Sequence, residues 1–308
     1  MKPSFRWLAF ALLGLCCARS IVAATLTQPV MLNGQVIPYT EFAVFVLPGT
    51  ALSVGFIDAT GGAELRFGGE LLAAGSDGVV APETPGNTTL EIRNRATGET
   101  CHIEVFSLVP ASRVGSDQHL NGYQIGAYPR EPLRGLATYL PPKGFVEVTA
   151  ANRDTRISPH FTLGEFVAKQ GYADPSYVVL RSELLLKLEN ILGKLKSAGH
   201  PVDDFVIMSG YRTPYYNRAI GNVPYSRHVY GGAADVFVDQ NPKDGVMDDL
   251  NGDGKIDRED ANWLADFINR MAQRGDFGPR IGGLGVYGAT NAHGPFVHID
   301  VRGTKARW

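Results

Sequence analysis

Residues 226–235 read Ser226-Arg227-His228-Val229-Tyr230-Gly231-Gly232-Ala233-Ala234-Asp235, and the rest of the chain is organised around this stretch. The small residues between His228 and Asp235 allow an imidazole and a carboxylate to meet where a loop enters a strand. Near the C-terminus, Phe296-Val297-His298-Ile299-Asp300 supplies a second imidazole. Two histidines and one carboxylate suit Zn²⁺ and leave a fourth position open, as zinc hydrolases require. We therefore predict that His228, Asp235 and His298 bind zinc.

These residues belong to a longer pattern, namely Ser209-Gly210-Tyr211-Arg212, Asn217, Ser226-x-His228-x-x-Gly231-x-Ala233-x-Asp235 and finally His298. The pattern resembles the zinc D-Ala-D-Ala carboxypeptidases and murein endopeptidases, in the group that also contains lysostaphin and the hedgehog signalling domain. The resemblance covers roughly residues 157–308, and the ending with Arg307-Trp308 is most similar to a periplasmic branch of murein endopeptidases. It implies an α+β domain with an antiparallel sheet and helices, zinc as cofactor, and peptidoglycan stem peptides or cross-links as substrate.

The resemblance also implies catalytic residues. Arg212 follows a strand end, where a guanidinium can enter a cleft and contact the substrate near the scissile bond; alternatively it braces the turn. Several relatives carry Glu or Asp three residues before the last zinc histidine, but this chain has Pro295, which cannot act as a base. We predict Asp300 as the general base, since it lies on the same strand face as His298, and His293 as the second candidate. If neither reaches the site, the chain is a non-catalytic zinc-containing cell-wall binding protein.

A second constellation forms an insertion in this domain at about residues 240–262. Six residues occupy positions 1, 3, 5, 7, 9 and 12 of a calcium-binding loop: Asp249, Asn251, Asp253, Lys255, Asp257 and Asp260. Lys255 would bind through its carbonyl, and Gly254 permits the sharp turn. Asp260 replaces the longer Glu that is usual at position 12. The pattern predicts a structural Ca²⁺ site; the alternative is a solvated acidic loop.

The first 24 residues have the pattern of a secretory signal peptide. A basic start precedes an apolar run too short to span a bilayer, and small residues precede a cleavage site near Ala24. We expect a secreted, periplasmic protein with no stable membrane insertion after cleavage. The alternative is a membrane anchor. Cleavage removes Cys16 and Cys17, so Cys101 remains alone and is predicted to be a core thiol.

The composition indicates two globular domains. The chain has 308 residues, 44% of them hydrophobic, and a net charge of −2. It therefore lacks the broad basic surface that nucleic acid or membrane adhesion would need. Short apolar runs separated by turn signals predict a small all-β sandwich at 25–109, whose role the sequence does not specify.

Residues 110–157 are rich in glycine and proline, and their aromatic side chains predict a connector draped over the next domain. The zinc peptidase domain then spans residues 158–308. Thr162 and Glu165 have the capping-box spacing of a helix start, and an apolar period predicts a long helix over residues 176–197. His160 could bind metal, but a histidine just outside a helix start favours a structural role.

Overall fold

The computed structural model describes residues 25–57, 62–171, 173–200 and 202–308. The predicted signal peptide, residues 1–24, lies outside the described residues. The described chain combines several β-sheets with few helices, which is compatible with the predicted α+β class. No helix in these ranges is long and apolar enough to cross a lipid bilayer.

The N-terminal part of the described chain is built from β-strands. Up to residue 107 these are β1 Thr25–Leu32, β2 Gln35–Tyr39, β3 Glu41–Val46, β4 Ala51–Phe56, β5 Ala63–Phe67, β6 Glu70–Leu71, β7 Gly78–Val80, β8 Gly86–Asn94 and β9 Thr100–Ser107. They form two sheets, ordered β2-β1-β4-β7 and β3-β9-β8-β5-β6. In β8, Leu90 and Ile92 are buried and alternate with more exposed residues, as expected of a strand with one face on the core. The strands agree with an all-β unit, while its sandwich packing and its boundaries stay predictions.

Cys101 lies in β9 and is fully buried. Its thiol donates to the carbonyl oxygen of Tyr39 at 3.3 Å, and burial raises the pKa of the thiol to about 12. Only the thiolate is a good nucleophile, so this cysteine is a core residue, as predicted.

The connector is folded against the C-terminal domain. Its strands are β10 Val109–Pro110, β11 His119–Leu120, β12 Tyr123–Gln124 and β13 Gly144–Val148. β13 pairs with β10 on one side and with β14, Ser176–Val178, on the other. The hydroxyl oxygens of Tyr128 and Tyr211 are 2.9 Å apart, and Tyr139 packs edge-on against Tyr230 with ring centroids 5.4 Å apart. These contacts hold the connector beside the predicted zinc residues.

The C-terminal domain contains the sheet that carries the candidate site. After β14 its helices and strands are α1 Ser182–Ser197, β15 Val206–Ser209, α2 Pro214–Ala219, β16 Ala233–Phe237, α3 Arg258–Gln273, β17 Gly283–Tyr287, β18 Phe296–Asp300 and β19 Ala306–Arg307. The strand order is β15-β16-β18-β17-β19, antiparallel except for the β17–β19 pair. α3 packs on β17 and β18. The predicted antiparallel sheet with helices is therefore present in the described residues.

The long helix begins later than predicted. α1 starts at Ser182, whereas the apolar period placed its start at Ser176. Residues 176–178 instead pair with β13, where Tyr177 and Val178 are fully buried. Aromatic and β-branched side chains favour strands, and pairing with β13 overrode the apparent helical period.

The helix predicted at Thr162 is a short 3₁₀ turn, Leu163–Phe166. Its capping box is present, because the carboxylate of Glu165 accepts the backbone N–H of Thr162 at 2.6 Å. The turn ends after four residues, so the start signal was correct and the expected helix was not.

Candidate metal centre

Two of the candidate ligands lie opposite each other on neighbouring strands of the sheet. Asp235 lies in the middle of β16, and the antiparallel register places it opposite His298 in β18. Side chains directly opposite each other in an antiparallel pair lie about 5 Å apart at Cβ. Strand pairing alone therefore brings this carboxylate and this imidazole together, although they are 63 positions apart in the sequence.

The third candidate ligand, His228, lies in a 3₁₀ turn, Arg227–Tyr230. Gly231 ends the turn with φ of +63°, in the left-handed region. A Cβ at this position would lie 2.4 Å from the carbonyl oxygen of Val179. Only glycine can end the turn here, and this requirement explains why Gly231 stands between the histidine and the aspartate.

The three side chains converge on one point. The Nε2 atom of His228 lies 3.1 Å from Oδ1 of Asp235 and 3.1 Å from Nδ1 of His298, and that Nδ1 lies 2.8 Å from the same carboxylate oxygen. All three residues are buried. One ligand atom from each of the three residues lies within 4.8 Å of the other two, and among the described residues this is the cluster of His, Cys, Asp or Glu side chains that meets this distance. The group could hold a metal ion.

The hydrogen bonds made by the outward-facing ring nitrogens of the two histidines test whether the group fits a metal ion. Nδ1 of His228 donates to the carbonyl oxygen of Gly210 at 2.7 Å, so the neutral ring turns the lone pair of Nε2 inward. Nε2 of His298 donates to Asp300 at 3.2 Å, so its Nδ1 also presents a lone pair. With the carboxylate of Asp235, these atoms form a set of acceptors only, which a cation is needed to hold together. The donor set therefore fits a metal ion.

The charges at the site also favour a cation. Burial lowers the pKa of His228. Burial has the same effect on His298, but the carboxylates of Asp235 and Asp300 outweigh it and raise the pKa of that imidazole. Burial would raise the pKa of Asp235, yet the two imidazoles hold it well below its usual range. The carboxylates thus favour positive charge at this site, which a bound metal ion would supply.

Arg212 contacts the candidate ligand Asp235. Its Nη2 donates to the second carboxylate oxygen, and its Nε donates to the hydroxyl of Ser209 at 2.8 Å. This ion pair fixes which oxygen of Asp235 faces the two imidazoles. Arg212 also lines the cavity in front of the site, with 12% of its side chain exposed. Its contact with substrate stays a prediction.

Asp300 does not lie where the predicted general base should lie. Its Oδ2 accepts from Nε2 of His298, on the opposite ring edge from Asp235. The carboxylate is fully buried, and it also accepts from the guanidinium of Arg302 and the N–H of Gly283. We therefore correct its role from base to positioning residue. Strand alternation predicts the shared face with His298 but not which imidazole nitrogen Asp300 contacts.

The second candidate base, His293, lies in the cavity with the three ligands. This cavity has a volume of about 1060 Å³, and Arg212 and Trp308 also line it. Nδ1 of His293 donates to the carbonyl oxygen of Gly294 at 2.8 Å, so Nε2 of the neutral ring is left as a proton acceptor. The ring meets Phe296 edge-on, with centroids 5.0 Å apart. The structure thus brings His293, rather than Asp300, into the cavity.

His160 lies away from the three ligands. Its Nδ1 is 2.6 Å from a carboxylate oxygen of Glu189 in α1, and the same carboxylate accepts the backbone N–H of His160 at 2.9 Å. The residue therefore attaches the segment before the 3₁₀ turn to α1, which agrees with the structural role that its position favoured.

The predicted calcium loop satisfies its carboxylates with its own backbone. Asp249 accepts the N–H groups of Gly252 and Gly254, at 2.7 and 2.8 Å. Asn251 and Asp253 each accept the N–H two residues further on, those of Asp253 and Lys255. Asp257 caps α3 through its side chain. The group of metal-ligand atoms found in the described residues lies elsewhere. The structure therefore gives calcium no support, and Ca²⁺ binding stays a prediction.

Replacing Asp260 by alanine should destabilise the protein whether or not calcium is present. Asp260 is fully buried and accepts the N–H groups of Leu250, Asn251 and Asp257, at 2.9, 3.3 and 2.9 Å. Leaving these donors without an acceptor should cost about 2–4 kcal/mol of the free energy of unfolding. Thermal melts of D260A and the unsubstituted protein, in chelator and in added calcium, measure this loss. A loss confined to calcium buffer would contradict the backbone role and support the calcium site.

Two further residues of the cavity were not predicted from the sequence as site residues. Arg302 binds Asp300, and the indole ring of Trp308 lies 5.2 Å from the imidazole of His298, centroid to centroid. A signal for Arg302 was present, because His298, Asp300 and Arg302 follow the two-residue period of a strand. Trp308 belongs to the ending that carries the family resemblance, but its place in the cavity depends on the pairing of β19 with β17 and has no local signal.

Comparison with known proteins supports the family assignment. Residues 159–252 match the family model described as Peptidase M15. The match confirms the family predicted from the motifs. It contains His228 and Asp235, while His298 lies beyond it. A comparison with curated proteins finds no match.

Proposed function

With residues 159–252 matching the Peptidase M15 family, we propose that this protein is a zinc-dependent peptidase that hydrolyses peptide bonds in peptidoglycan stem peptides or cross-links. We place its action in the periplasm, in line with the predicted signal peptide. The observation that carries the proposal is the convergence of His228, Asp235 and His298 at the wall of an open cavity. Three protein ligands leave room for a fourth, as catalytic rather than structural zinc sites do.

In this proposal His228, Asp235 and His298 hold the zinc ion. When bound, zinc would polarise the scissile carbonyl and make water nucleophilic at neutral pH. His293 accepts the proton of the attacking water at Nε2, the ring nitrogen that no carbonyl occupies, and returns it to the leaving amine. Arg212 keeps Asp235 oriented, and its charge stabilises the negative charge that develops on the carbonyl oxygen.

The second candidate function is a non-catalytic zinc protein that binds the cell wall. Pro295 favours it, because this position carries the acidic base in several relatives. His293 favours the peptidase, since it supplies a proton acceptor in the same cavity. The open cavity also suits a cross-linked chain better than a free dipeptide, so we propose endopeptidase action ahead of carboxypeptidase action.

Zinc analysis combined with a cleavage assay tests the proposed function. We expect about one zinc per chain after purification and dialysis, and release of peptide fragments from purified peptidoglycan. Zinc without cleavage would support the binding protein. No zinc and no cleavage would contradict both candidate functions.

Replacing Asp300 by asparagine should weaken zinc binding more than it changes the chemistry. The carboxylate of Asp300 fixes the orientation of the His298 ring, and loss of such a partner typically lowers metal affinity roughly 10- to 100-fold. Competition with a chromogenic chelator measures the affinity, and assays at saturating zinc measure the residual rate. Unchanged zinc affinity with a large loss of rate would restore Asp300 as the base.

A further inference from the structure

Arg302 and Trp308 form a pair beside the ligand His298. The guanidinium carbon of Arg302 lies 5.1 Å from the centre of the Trp308 ring, and that ring lies 5.2 Å from the His298 ring. Both side chains line the cavity. We call these two residues the Arg–Trp pair.

Trp308 is held in place by several contacts and is still open to the cavity. Its backbone N–H donates to the carbonyl of Leu284, its carbonyl accepts from Val286, and its indole N–H donates to the hydroxyl of Tyr287 at 2.6 Å. A Cβ on Gly285 would lie 2.4 Å from the indole nitrogen, so this glycine is what allows the ring to pack here. Even so, Trp308 remains 45% exposed. The result is a fixed apolar surface beside a candidate metal ligand.

Arg302 keeps donor capacity that the protein does not use. Its Nε and Nη2 atoms donate to Asp300, but in the described part of the chain its Nη1 has no acceptor. The side chain is 22% exposed. A guanidinium nitrogen that stays open in a cavity is suited to a carboxylate.

The charge of the site points to the same ligand chemistry. Asp235 and Asp300 are each paired with a guanidinium group, Arg212 and Arg302. Each of these carboxylates is offset by its guanidinium partner, and Arg227 adds a further positive charge to the cavity lining, so the charge of a bound divalent metal ion would stay uncompensated. An anionic substrate group balances that charge better than a neutral one.

We propose, resting on the peptidase function above, that the Arg–Trp pair is a specificity subsite for a carboxylate-bearing residue next to the scissile bond. The aliphatic part of that residue packs on the Trp308 ring, and its carboxylate binds Nη1 of Arg302. Neighbouring Cα atoms in a peptide are 3.80 Å apart, so a group on this ring belongs to the residue at the scissile bond or to its direct neighbour.

Two substrates that differ in one group test the subsite. The first is a cross-linked stem-peptide dimer; the second is the same dimer with the carboxyl group nearest the cleaved bond converted to a carboxamide. The unsubstituted enzyme should prefer the acid by roughly 10- to 100-fold in kcat/KM, the range that a charge-assisted hydrogen bond supplies. Because the acid-to-amide ratio is taken within each variant, it cancels a general loss of activity or folding.

The variants separate Arg302 from Arg212, another arginine that lines the cavity. Arg302→Lys keeps a cation beside Asp300 but loses the open Nη1, and its ratio should fall to less than about one third of the unsubstituted value. Trp308→Ala should raise KM for both dimers with little change in kcat, whereas Trp263→Phe, in α3, should behave like the unsubstituted protein. Product-peptide dissociation constants, measured by calorimetry, should show the same acid preference and the same loss in Arg302→Lys.

The results that would contradict the subsite differ from those that would contradict the peptidase function. Equal cleavage of both dimers by the unsubstituted enzyme, an unchanged ratio in Arg302→Lys, or a ratio lost only in Arg212→Lys would overturn the subsite and leave the peptidase intact. An unchanged KM in Trp308→Ala would remove Trp308 from it. Failure to cleave either dimer or whole peptidoglycan would instead overturn the proposed function.

Discussion

Asp235→Ala is expected to lose zinc and peptidase activity together. Asp235 supplies the oxygen that lies within 3.1 Å of both imidazole nitrogens and is the only anionic ligand of the three. Losing the metal removes several kcal/mol of transition-state stabilisation, so kcat/KM should fall on the order of 10³-fold or more. Zinc content by mass spectrometry and the rate of peptide release give the two readouts.

Asp260→Ala is the matched control for this substitution. It also removes a buried aspartate and should destabilise the fold, but it lies in the first turn of α3 rather than at the candidate metal centre. It should keep zinc. Full activity in Asp235→Ala, or equal loss of zinc in both variants, would contradict the assigned ligand set.

His293→Gln is expected to keep zinc and lose most of the rate. The substitution removes a proton acceptor from the cavity without touching the three ligands. Loss of a general base typically costs 10²- to 10⁴-fold, and we expect roughly that decrease in kcat. Single-turnover rates and zinc content, measured on the same preparation, separate chemistry from metal binding.

His102→Gln is a suitable control, because His102 lies on an exposed face of β9 in the N-terminal unit. It should leave rate and zinc unchanged. A normal rate in His293→Gln would show that another group accepts the proton, and loss of zinc would show that His293 supports the metal centre instead.

The convergence of the three candidate ligands could be predicted because these residues carry local signals. Gly231 to Ala234 separate His228 from Asp235 by a turn and a strand entry, and the apolar run around His298 marks a second strand. The sequence could not specify which atom of a neighbouring side chain each residue contacts. Asp300 was predicted to share the face of His298, and it does, but only the structure shows that it meets Nε2, away from the other ligands.

The features that the sequence missed depend on contacts between distant segments. The residues before α1 follow an apolar pattern that a helix or a strand could use, and pairing with β13 decides for the strand. Trp308 reaches the cavity because β19 pairs with β17 and because Gly285 leaves space for the indole. The calcium motif, by contrast, is a local pattern. Its spacing matches a calcium-binding loop, but in the structure its carboxylates accept hydrogen bonds from backbone N–H groups.

We propose that the centre formed by His228, Asp235 and His298 makes this chain a peptidoglycan peptidase. The most direct measurement is a digest of purified peptidoglycan with the protein from residue 25 onward, with and without a zinc chelator, read by mass spectrometry of the released fragments. We predict cleavage that stops with the chelator and returns with added zinc, and fragment masses that identify the bond. Cleavage that persists without zinc, or zinc-loaded protein that releases nothing from any murein tried, would contradict it.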